Sequence, residues 1–425
     1  MPGTEKKTGL LKPGIIFLAG FLLFHVFFLN ALFVFNARGE ALNIQPSLSI
    51  LEECDDNVFL TEKGRVSDCV SRLLPSLSVD YRAPLWKWNL AYTLDYRHYV
   101  NRAMQDSFSH DLDLRNSTEL VHKLFYVDVS DKYEKASLSL PKDYTKISLF
   151  VNQSDRNTFT VTPHFTLRPD SATTVDAGYT YQNIWYKSSL AINKSDNSFY
   201  LEASREITPS FELLAGGVYL LEQNGIQNFN QADLHAGSKY TYRPGSYVFL
   251  SGGNSVFDFK ESGPTNEWFW DAGVNHQFAS FSARLEASSR VVEYPTLIAQ
   301  KADTYTASLT SSSVRNPVSV AVSLIRYSDI VTKTLQIRQY RIAGTASHKF
   351  TRVLSGSVNL SADKFEDMGP RSYTNRLVSG PGFVYAVSAK TNVSLNYRFI
   401  YSHSPVIVND SYLDNQIIAG VNTTL

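Results

Sequence analysis

The chain has 425 residues, of which 13% are aromatic and only 19% are charged. A chain this rich in aromatic residues is neither disordered nor collagen-like. Its 40 basic and 40 acidic side chains balance, so it has no excess of positive charge for nucleic-acid binding. Two cysteines are too few for a disulfide-dense scaffold or a cysteine-rich zinc module.

The amino-terminal residues 1–41 have the pattern of a secretory signal peptide. A lysine-containing start precedes a mostly apolar run over residues 14–35, and small residues follow it. Gly39 and Ala41 have the spacing of a cleavage site, which we place after Ala41. An uncleaved anchor is the alternative, because the apolar run is long enough to cross a bilayer. Both interpretations predict that the chain leaves the cytoplasm.

Alternation of apolar and polar residues, which marks β-strands with two different faces, recurs throughout residues 42–425. In the clearest example the even positions from Trp86 to Tyr96 are aromatic or leucine. The odd positions from Lys87 to Arg97 are polar, charged or alanine. Helical periodicity is scarce, so the sequence predicts an all-β protein. The same alternation returns in residues 175–182, 281–288, 354–362 and 393–399.

Short and long connections take turns along the chain. Turns such as residues 168–171 alternate with longer polar segments such as residues 101–107. This rhythm is expected of an antiparallel up-and-down transmembrane β-barrel whose two rims face different compartments. Residues 42–425 would form one barrel of about 18 strands (16–20) at the usual strand spacing of such proteins. Residues 132–156 alternate least, and we expect a long loop with one weak strand there.

Three features favour a barrel in the cell outer membrane over a soluble sandwich, which also alternates. They are the export signal, aromatic residues concentrated at strand ends, and the lack of helical segments that could cover so many strands. Closure into a barrel removes the exposed sheet edges. We therefore expect outer-membrane lipid to contact the apolar faces.

The polar faces of the strands are then predicted to line the lumen. Both charge signs occur among these residues, which argues against strong ion selectivity, since selective pores carry rings of one sign. Such a wall suits neutral or mildly anionic sugars, although ion pairs that only stiffen the wall explain the same residues equally well. The predicted lumen-lining residues are Lys87, Asp95, Arg97, Asp233, His235, Lys239, Arg284, Glu286, Arg290 and Arg398.

Segments near the start of the predicted barrel carry a family resemblance. They are residues 46–50, the Asp-Asp-Asn-Val-Phe-Leu segment at 55–60, the Leu-Pro-Ser-Leu-Ser-Val segment at 74–79, and the strand at 86–99. Together they resemble the start of the β-barrel porin 2 family, most closely its branch associated with exopolysaccharide and exosortase (PEP-CTERM) loci. The resemblance implies an outer-membrane barrel that works with polysaccharide and export-machinery proteins, and it implies no catalytic residue.

Cys54 and Cys69 flank the loop between the first two predicted strands. In an oxidising compartment a disulfide between them would clamp that loop. The alternative is two unpaired thiols. The compartment favours the disulfide.

Neither a metal site nor a cofactor site is expected from the sequence. Asp55, Asp56 and Asn57 are acidic or amide residues in a row, but they lack the spaced oxygen ligands and closing glutamate of an EF-hand loop. An acidic turn after a strand explains them without a metal.

The histidines are scattered and accompany no hydrolase or metalloprotease motif. His98 and His235 are the candidates if the barrel were a lipid- or sugar-modifying enzyme, but polar residues of a lumen or rim are the simpler interpretation. We therefore predict no catalytic residue and no enzymatic activity.

The sequence as a whole predicts a porin-like barrel for passive passage or export of a hydrophilic solute, linked to exopolysaccharide synthesis or secretion. One alternative is a non-conducting structural barrel that anchors a polysaccharide assembly complex, its lumen blocked by charged pairs or by residues 132–156. Another is an outer-membrane enzyme. The oligomeric state is left open.

Overall fold

The computed structural model describes residues 41–139, 142, 145, 148–149, 151–226, 228–260, 263–369, 372–406 and 410–425, with backbone alone at 293–294 and 297–298. The signal peptide predicted over residues 1–41 lies outside the described residues except for Ala41, with which the first strand begins. Across the described part of the chain, no helix has the length and apolar character needed to cross a membrane.

Twenty antiparallel strands form one closed sheet, in which each strand pairs with its sequence neighbours and β1 also pairs with β20. The predicted transmembrane barrel is confirmed, with twenty strands where about 18 were expected from typical spacing. The strands are β1 Ala41–Asp55, β2 Asp68–Ala83, β3 Trp86–Tyr99, β4 Ser107–Val121, β5 Phe125–Ser137, β6 Gln153–Leu167, β7 Thr173–Tyr186, β8 Lys194–Thr208, β9 Phe211–Asn224, β10 Phe229–Arg243, β11 Ser246–Phe259, β12 Gly263–Gln277, β13 Phe281–Tyr294, β14 Leu297–Ser311, β15 Val318–Asp329, β16 Leu335–Lys349, β17 Leu354–Asp367, β18 Ser372–Ala386, β19 Thr391–His403 and β20 Tyr412–Thr424.

The connections divide between two rims. The short-turn rim carries the connections that follow even-numbered strands, such as residues 84–85 and 244–245. The long-loop rim carries those that follow odd-numbered strands, such as residues 56–67 and 138–152. The expected rhythm is therefore present, although residues 295–296 on the long-loop rim form a tight turn.

The long loop expected over residues 132–156 is shorter than predicted, because β5 continues to Ser137 and β6 begins at Gln153. The alternation fails there for a physical reason. Near the long-loop rim the outward side chains of β5 are also polar, as at Asp131, which accepts a hydrogen bond from Asn157. Beyond the last pair with β4, Lys135 lines the lumen cavity and pairs with Asp155 at 2.6 Å. The two faces of these strand ends therefore look alike in sequence.

The register of the sheet separates an outward apolar face from an inward polar face. Residues paired across neighbouring strands share a face, and the face alternates along each strand. Leu234, Trp268 and Phe108 on the outward face are 73%, 70% and 65% exposed. The opposite face is the lumen, because side chains of β1 to β3 share one cavity there with side chains of β14 to β20.

The upper ends of β13 and β14 leave the wall at the long-loop rim. β12 pairs with β13 only between Trp270 and Gln277, whereas the β13–β14 ladder continues to the turn. The carbonyl oxygen of Pro295, in that turn, accepts a hydrogen bond of 2.8 Å from the N–H of Ile192 in the connection between β7 and β8. This hairpin therefore reaches across part of the mouth.

Apolar packing inside the barrel is concentrated near the same rim. Ile330, in the connection between β15 and β16, is buried against Phe229, Phe257 and Phe259 on the inward face of β10 and β11. A second cluster joins Leu60 of residues 56–67 to Ile400 and Tyr412. The long loops thus fold inward over the lumen.

An apolar hollow of about 1260 Å³ lies on the outer surface across β11 to β19. Nine consecutive strands of a closed barrel can surround a hollow on the outside only if that part of the wall curves towards the lumen. Side chains on its outward face include Leu250, Val274, Leu285, Val322, Ile342 and Leu377. We call it the outer hollow.

Candidate functional site

The ten residues predicted to line the lumen all lie on the inward face, but they do not converge on one point. Asp95 and Arg97 form an ion pair of 2.7 Å. The others make separate local contacts around the wall. Arg284 pairs with Glu286, Arg290 with Asp271, His235 with Glu202, Gln231 with Asp233, Lys239 with the ring of Tyr247 and Arg398 with Gln416, while Lys87 lies opposite Arg82.

The lumen contains a cavity of about 940 Å³ between β1 to β3 on one side and β14 to β20 on the other. It extends from Arg97 near the long-loop rim to Thr310 near the short-turn rim. Leu149, of the connection between β5 and β6, lies against it, and its carbonyl oxygen accepts a 3.0 Å hydrogen bond from Arg97. Five arginines line this space, which we call the arginine cavity: Arg72, Arg97, Arg341, Arg376 and Arg398.

On the β1 to β3 side of the arginine cavity the charges are balanced. Arg72 donates two hydrogen bonds to the carboxylate of Asp95, at 3.1 and 2.8 Å, and one to Glu53 at 3.1 Å. Arg97 donates to the same Asp95. Glu53 and Asp95 are only 5% and 7% exposed. Buried charges require a partner, and each of these carboxylates has an arginine.

On the opposite side one carboxylate serves two arginines. Asp363 lies 3.5 Å from Arg376 and 3.8 Å from Arg341, and it also accepts a hydrogen bond of 3.0 Å from Gln339. Arg398 donates to the side-chain oxygen of Gln416 instead of a carboxylate. Positive charge therefore exceeds negative charge on this side.

Sequence analysis identified Arg97 and Arg398 but missed Arg72, Arg341 and Arg376. Arg341 lies on a strand with weak alternation, β16, whose outward face also carries Arg338 and Tyr340. The sequence did contain a signal, because adjacent residues of a strand lie on opposite faces of the sheet. Arg341 precedes the apolar Ile342, and Arg376 precedes the apolar Leu377, so both arginines are expected on the face opposite the apolar one.

An acidic cluster closes the seam between the first and last strands. Ligand oxygens of Asp55, Asp56 and Asp414 lie within 4.8 Å of one another, and carboxylates are the donors that Ca²⁺ prefers. Hydrogen bonds already engage them: Asn415 donates twice to Asp56, and Gln416 donates to both Asp55 and Asp414. These contacts explain the cluster as a clamp between β20 and the first loop.

The two candidate histidines lie in different environments. His98 is on the outward face of β3 and hydrogen-bonds Asp106 at 2.9 Å. That hydrogen bond and a second one from the N–H of Tyr99 hold the pKa of Asp106 below its usual value. His235 lies in the lumen, 3.0 Å from Glu202, and within the described residues no hydroxyl or thiol hydrogen-bonds it.

Cys54 and Cys69 are directly opposite each other on β1 and β2 and are joined by a disulfide, with a Cα–Cα distance of 4.0 Å. Both are on the outward face, next to the long-loop rim. The bond closes the connection of residues 56–67 at its base.

No protein-family model matches the sequence, and no curated protein sequence matches it. Solved structures match it in fold. The FrpB iron transporter from Neisseria meningitidis has 9% identity and a TM-score of 0.54, and the match covers 90% of this chain and 82% of that one. The copper transporter OprC has 9% identity and a TM-score of 0.53 over 92% and 82% of the two chains. The ferric enterobactin receptor PfeA from Pseudomonas aeruginosa has 8% identity and a TM-score of 0.51 over 91% and 82%. The fold is therefore that of outer-membrane β-barrel transporters and receptors.

Proposed function

We propose that this barrel lies in the cell outer membrane and lets a hydrophilic solute pass through its lumen without an energy-coupled step. The observation that carries the proposal is the contrast between the two faces of a closed sheet. The outward face is apolar, as lipid contact requires, and the inward face carries hydroxyl, amide and charged groups. Examples of inward hydroxyls are Thr158, Thr160 and Thr162 on β6 and Ser308 and Thr310 on β14.

The link to exopolysaccharide synthesis or secretion is part of the same proposal. It is supported by the family resemblance of residues 46–99 and by the hydroxyl-rich lumen, which suits a sugar. Polysaccharide and export-machinery proteins are the partners that this link would bring. The fold itself is similar to that of outer-membrane transporters and receptors.

Single-channel recording in planar bilayers tests the passage. We expect discrete conductance steps from protein whose folded state is verified by heat-dependent electrophoretic mobility. Absence of steps from folded protein, at any applied voltage, would contradict passage. Liposome uptake of neutral oligosaccharides of increasing length would then give the size limit of the lumen.

A non-conducting structural barrel is the second candidate, and the long-loop rim favours it. Pro295 hydrogen-bonds across the mouth and Ile330 packs onto the far wall, so part of the mouth is covered. If the barrel is a structural one whose lumen is always blocked, variants that weaken these contacts still show no conductance. If the contacts form a gate, weakening them increases conductance.

Enzymatic activity receives no support from the site. His235 and Glu202 form a pair without a hydroxyl or thiol hydrogen-bonded to the histidine among the described residues, and the structural neighbours are transporters and receptors. An enzyme would instead show turnover of lipid or polysaccharide that is lost on His98→Ala or His235→Ala.

A further inference from the structure

The arginine cavity concentrates positive charge in the part of the lumen that the long loops cover. Its five arginines outnumber the three carboxylates that pair with them, Glu53, Asp95 and Asp363, by two. The two carboxylates on the β1 to β3 side form ion pairs with Arg72 and Arg97. Among the described residues, the excess therefore belongs to Arg341, Arg376 and Arg398. Arg341 and Arg376 share Asp363, and Arg398 donates to Gln416.

Arg376 is the residue whose hydrogen-bonding groups are least satisfied. It is 7% exposed, and its single ion pair runs from Nη2 to Asp363 at 3.5 Å. Among the residues that the structure describes, Nε and Nη1 have no hydrogen-bond partner. The guanidinium carbon lies over the ring of Phe365, 5.1 Å from its centroid, which is a cation–π contact. A buried donor without a partner costs free energy, which a bound acceptor would recover.

A guanidinium binds a carboxylate or phosphate with two parallel hydrogen bonds by pairing Nη2 with either Nε or Nη1. An oxyanion on Arg376 would therefore use one of the two unpartnered nitrogens and share Nη2 with Asp363. The rest of the cavity is suited to sugar hydroxyls. Ser308, Thr310, Ser319, Thr345 and Asn359 line it with hydroxyl and amide groups. Its volume of about 940 Å³ is that of a site for a ligand of a few sugar units.

We propose that the arginine cavity is a binding site for an oxyanion carried by a hydrophilic solute, of which an acidic oligosaccharide is the best-fitting class. This inference rests on the proposed function, because it identifies the solute that the lumen selects. Arg376 and Arg341 bind the anionic group, and the hydroxyl and amide residues hold the neutral part.

Binding is tested by titration calorimetry on the full-length barrel in detergent, separately from conductance. The probes are trigalacturonate, maltotriose as a neutral trisaccharide of the same length, and glucose 6-phosphate. We expect trigalacturonate to bind and maltotriose not to bind. Glucose 6-phosphate distinguishes a phosphate preference from a carboxylate preference. Equal binding of trigalacturonate and maltotriose would overturn the proposal.

Variants locate the site. Arg376→Gln and Arg341→Gln should each weaken trigalacturonate binding by about tenfold or more, since a hydrogen bond to a charged group is lost. Arg376→Lys keeps the charge but not the paired donors, so it should restore only part of the affinity. Arg338→Gln is the matched control, because Arg338 lies on the same strand as Arg341 but on the outward face.

The outcomes separate the two proposals. Binding without conductance contradicts passage and leaves the anion site in place. Conductance without selective binding contradicts the anion site alone. Heat-dependent mobility verifies the fold of each variant, and if Arg376→Gln fails to fold, Arg341→Gln decides. Unchanged affinity in a folded variant would overturn the proposal.

Discussion

Gly380 on β18 lies against the carbonyl oxygen of Tyr397 on β19 so closely that a Cβ atom on Gly380 would be 1.8 Å from it. The β18–β19 ladder is interrupted at this point, between the pairs Ser379–Phe399 and Gly382–Asn396. Pro381, which has no N–H to donate, follows at once. The close approach of β18 and β19 beside Arg398 therefore requires glycine at position 380, because any other residue would add a Cβ atom there.

Gly380→Ala should lower the free energy of unfolding by about 3 kcal/mol, because two strand backbones have to move apart. Gly344→Ala is the matched control: it is also in mid-strand, and its nearest neighbour would be 3.4 Å away. Denaturant unfolding in detergent, followed by tryptophan fluorescence, compares the two. Equal unfolding midpoints would contradict the close approach.

Removing the disulfide should destabilise the barrel. Cys54 and Cys69 are separated by 15 residues, and in the chain-entropy model closure of a loop of that size contributes roughly 3 kcal/mol. Cys54→Ser with Cys69→Ser should therefore unfold at lower denaturant concentration than the oxidised protein, and reductant should shift the oxidised protein to the same midpoint. If reductant has no effect, the disulfide contributes nothing to stability.

Weakening the cover of the mouth should open the lumen. Glu267 is 5% exposed, accepts a hydrogen bond of 2.9 Å from Lys301, and also pairs with Lys333 in the connection between β15 and β16. Glu267→Gln removes both ion pairs and should increase single-channel conductance or the fraction of time spent open. Glu62→Gln, in an exposed part of residues 56–67, should leave recordings unchanged. Unaltered traces for Glu267→Gln would favour the structural barrel.

The connection after β3 should loosen at acidic pH. The pKa of Asp106 is lowered by its hydrogen bond to His98, so its stabilising effect is present above the ordinary pKa of an aspartate and disappears as the pH falls through the lowered value. The protection factor against hydrogen exchange at the N–H of Tyr99, which donates to Asp106 at 3.2 Å, should therefore fall at low pH. Asp106→Asn should remove this pH dependence, and Asp113→Asn, in the lumen, should not.

The sequence predicts the barrel because alternation is a local property of each strand. The even-numbered residues from Trp86 to Tyr96 lie on the outward face, and the odd-numbered residues from Lys87 to Arg97 lie on the inward face. Alternation along the sequence is enough to predict this. The twenty strands lie at the upper end of the expected range of 16–20, and strand ends such as the upper part of β5 carry polar residues on both faces. Local periodicity is lost there although pairing continues.

The arginine cavity could not be predicted from the sequence in the same way. Arg72 and Arg376 are far apart in the chain, and only the curvature of the wall brings β1 to β3 opposite β14 to β20. Alternation along each strand predicts that these arginines face the lumen, but it does not predict which of them lie close together. The shortage of carboxylates around Arg376 likewise emerges only when all neighbouring strands are in place.

At Arg341 and Arg376 the wall of the barrel is a single backbone thick, with the arginine cavity on one side and the outer hollow on the other. In a bilayer, acyl chains have to occupy that hollow. The lateral pressure of the surrounding leaflet would therefore act on the strands that carry these guanidinium groups. Under the proposed function, acyl-chain length and unsaturation become determinants of the width of the lumen beside them.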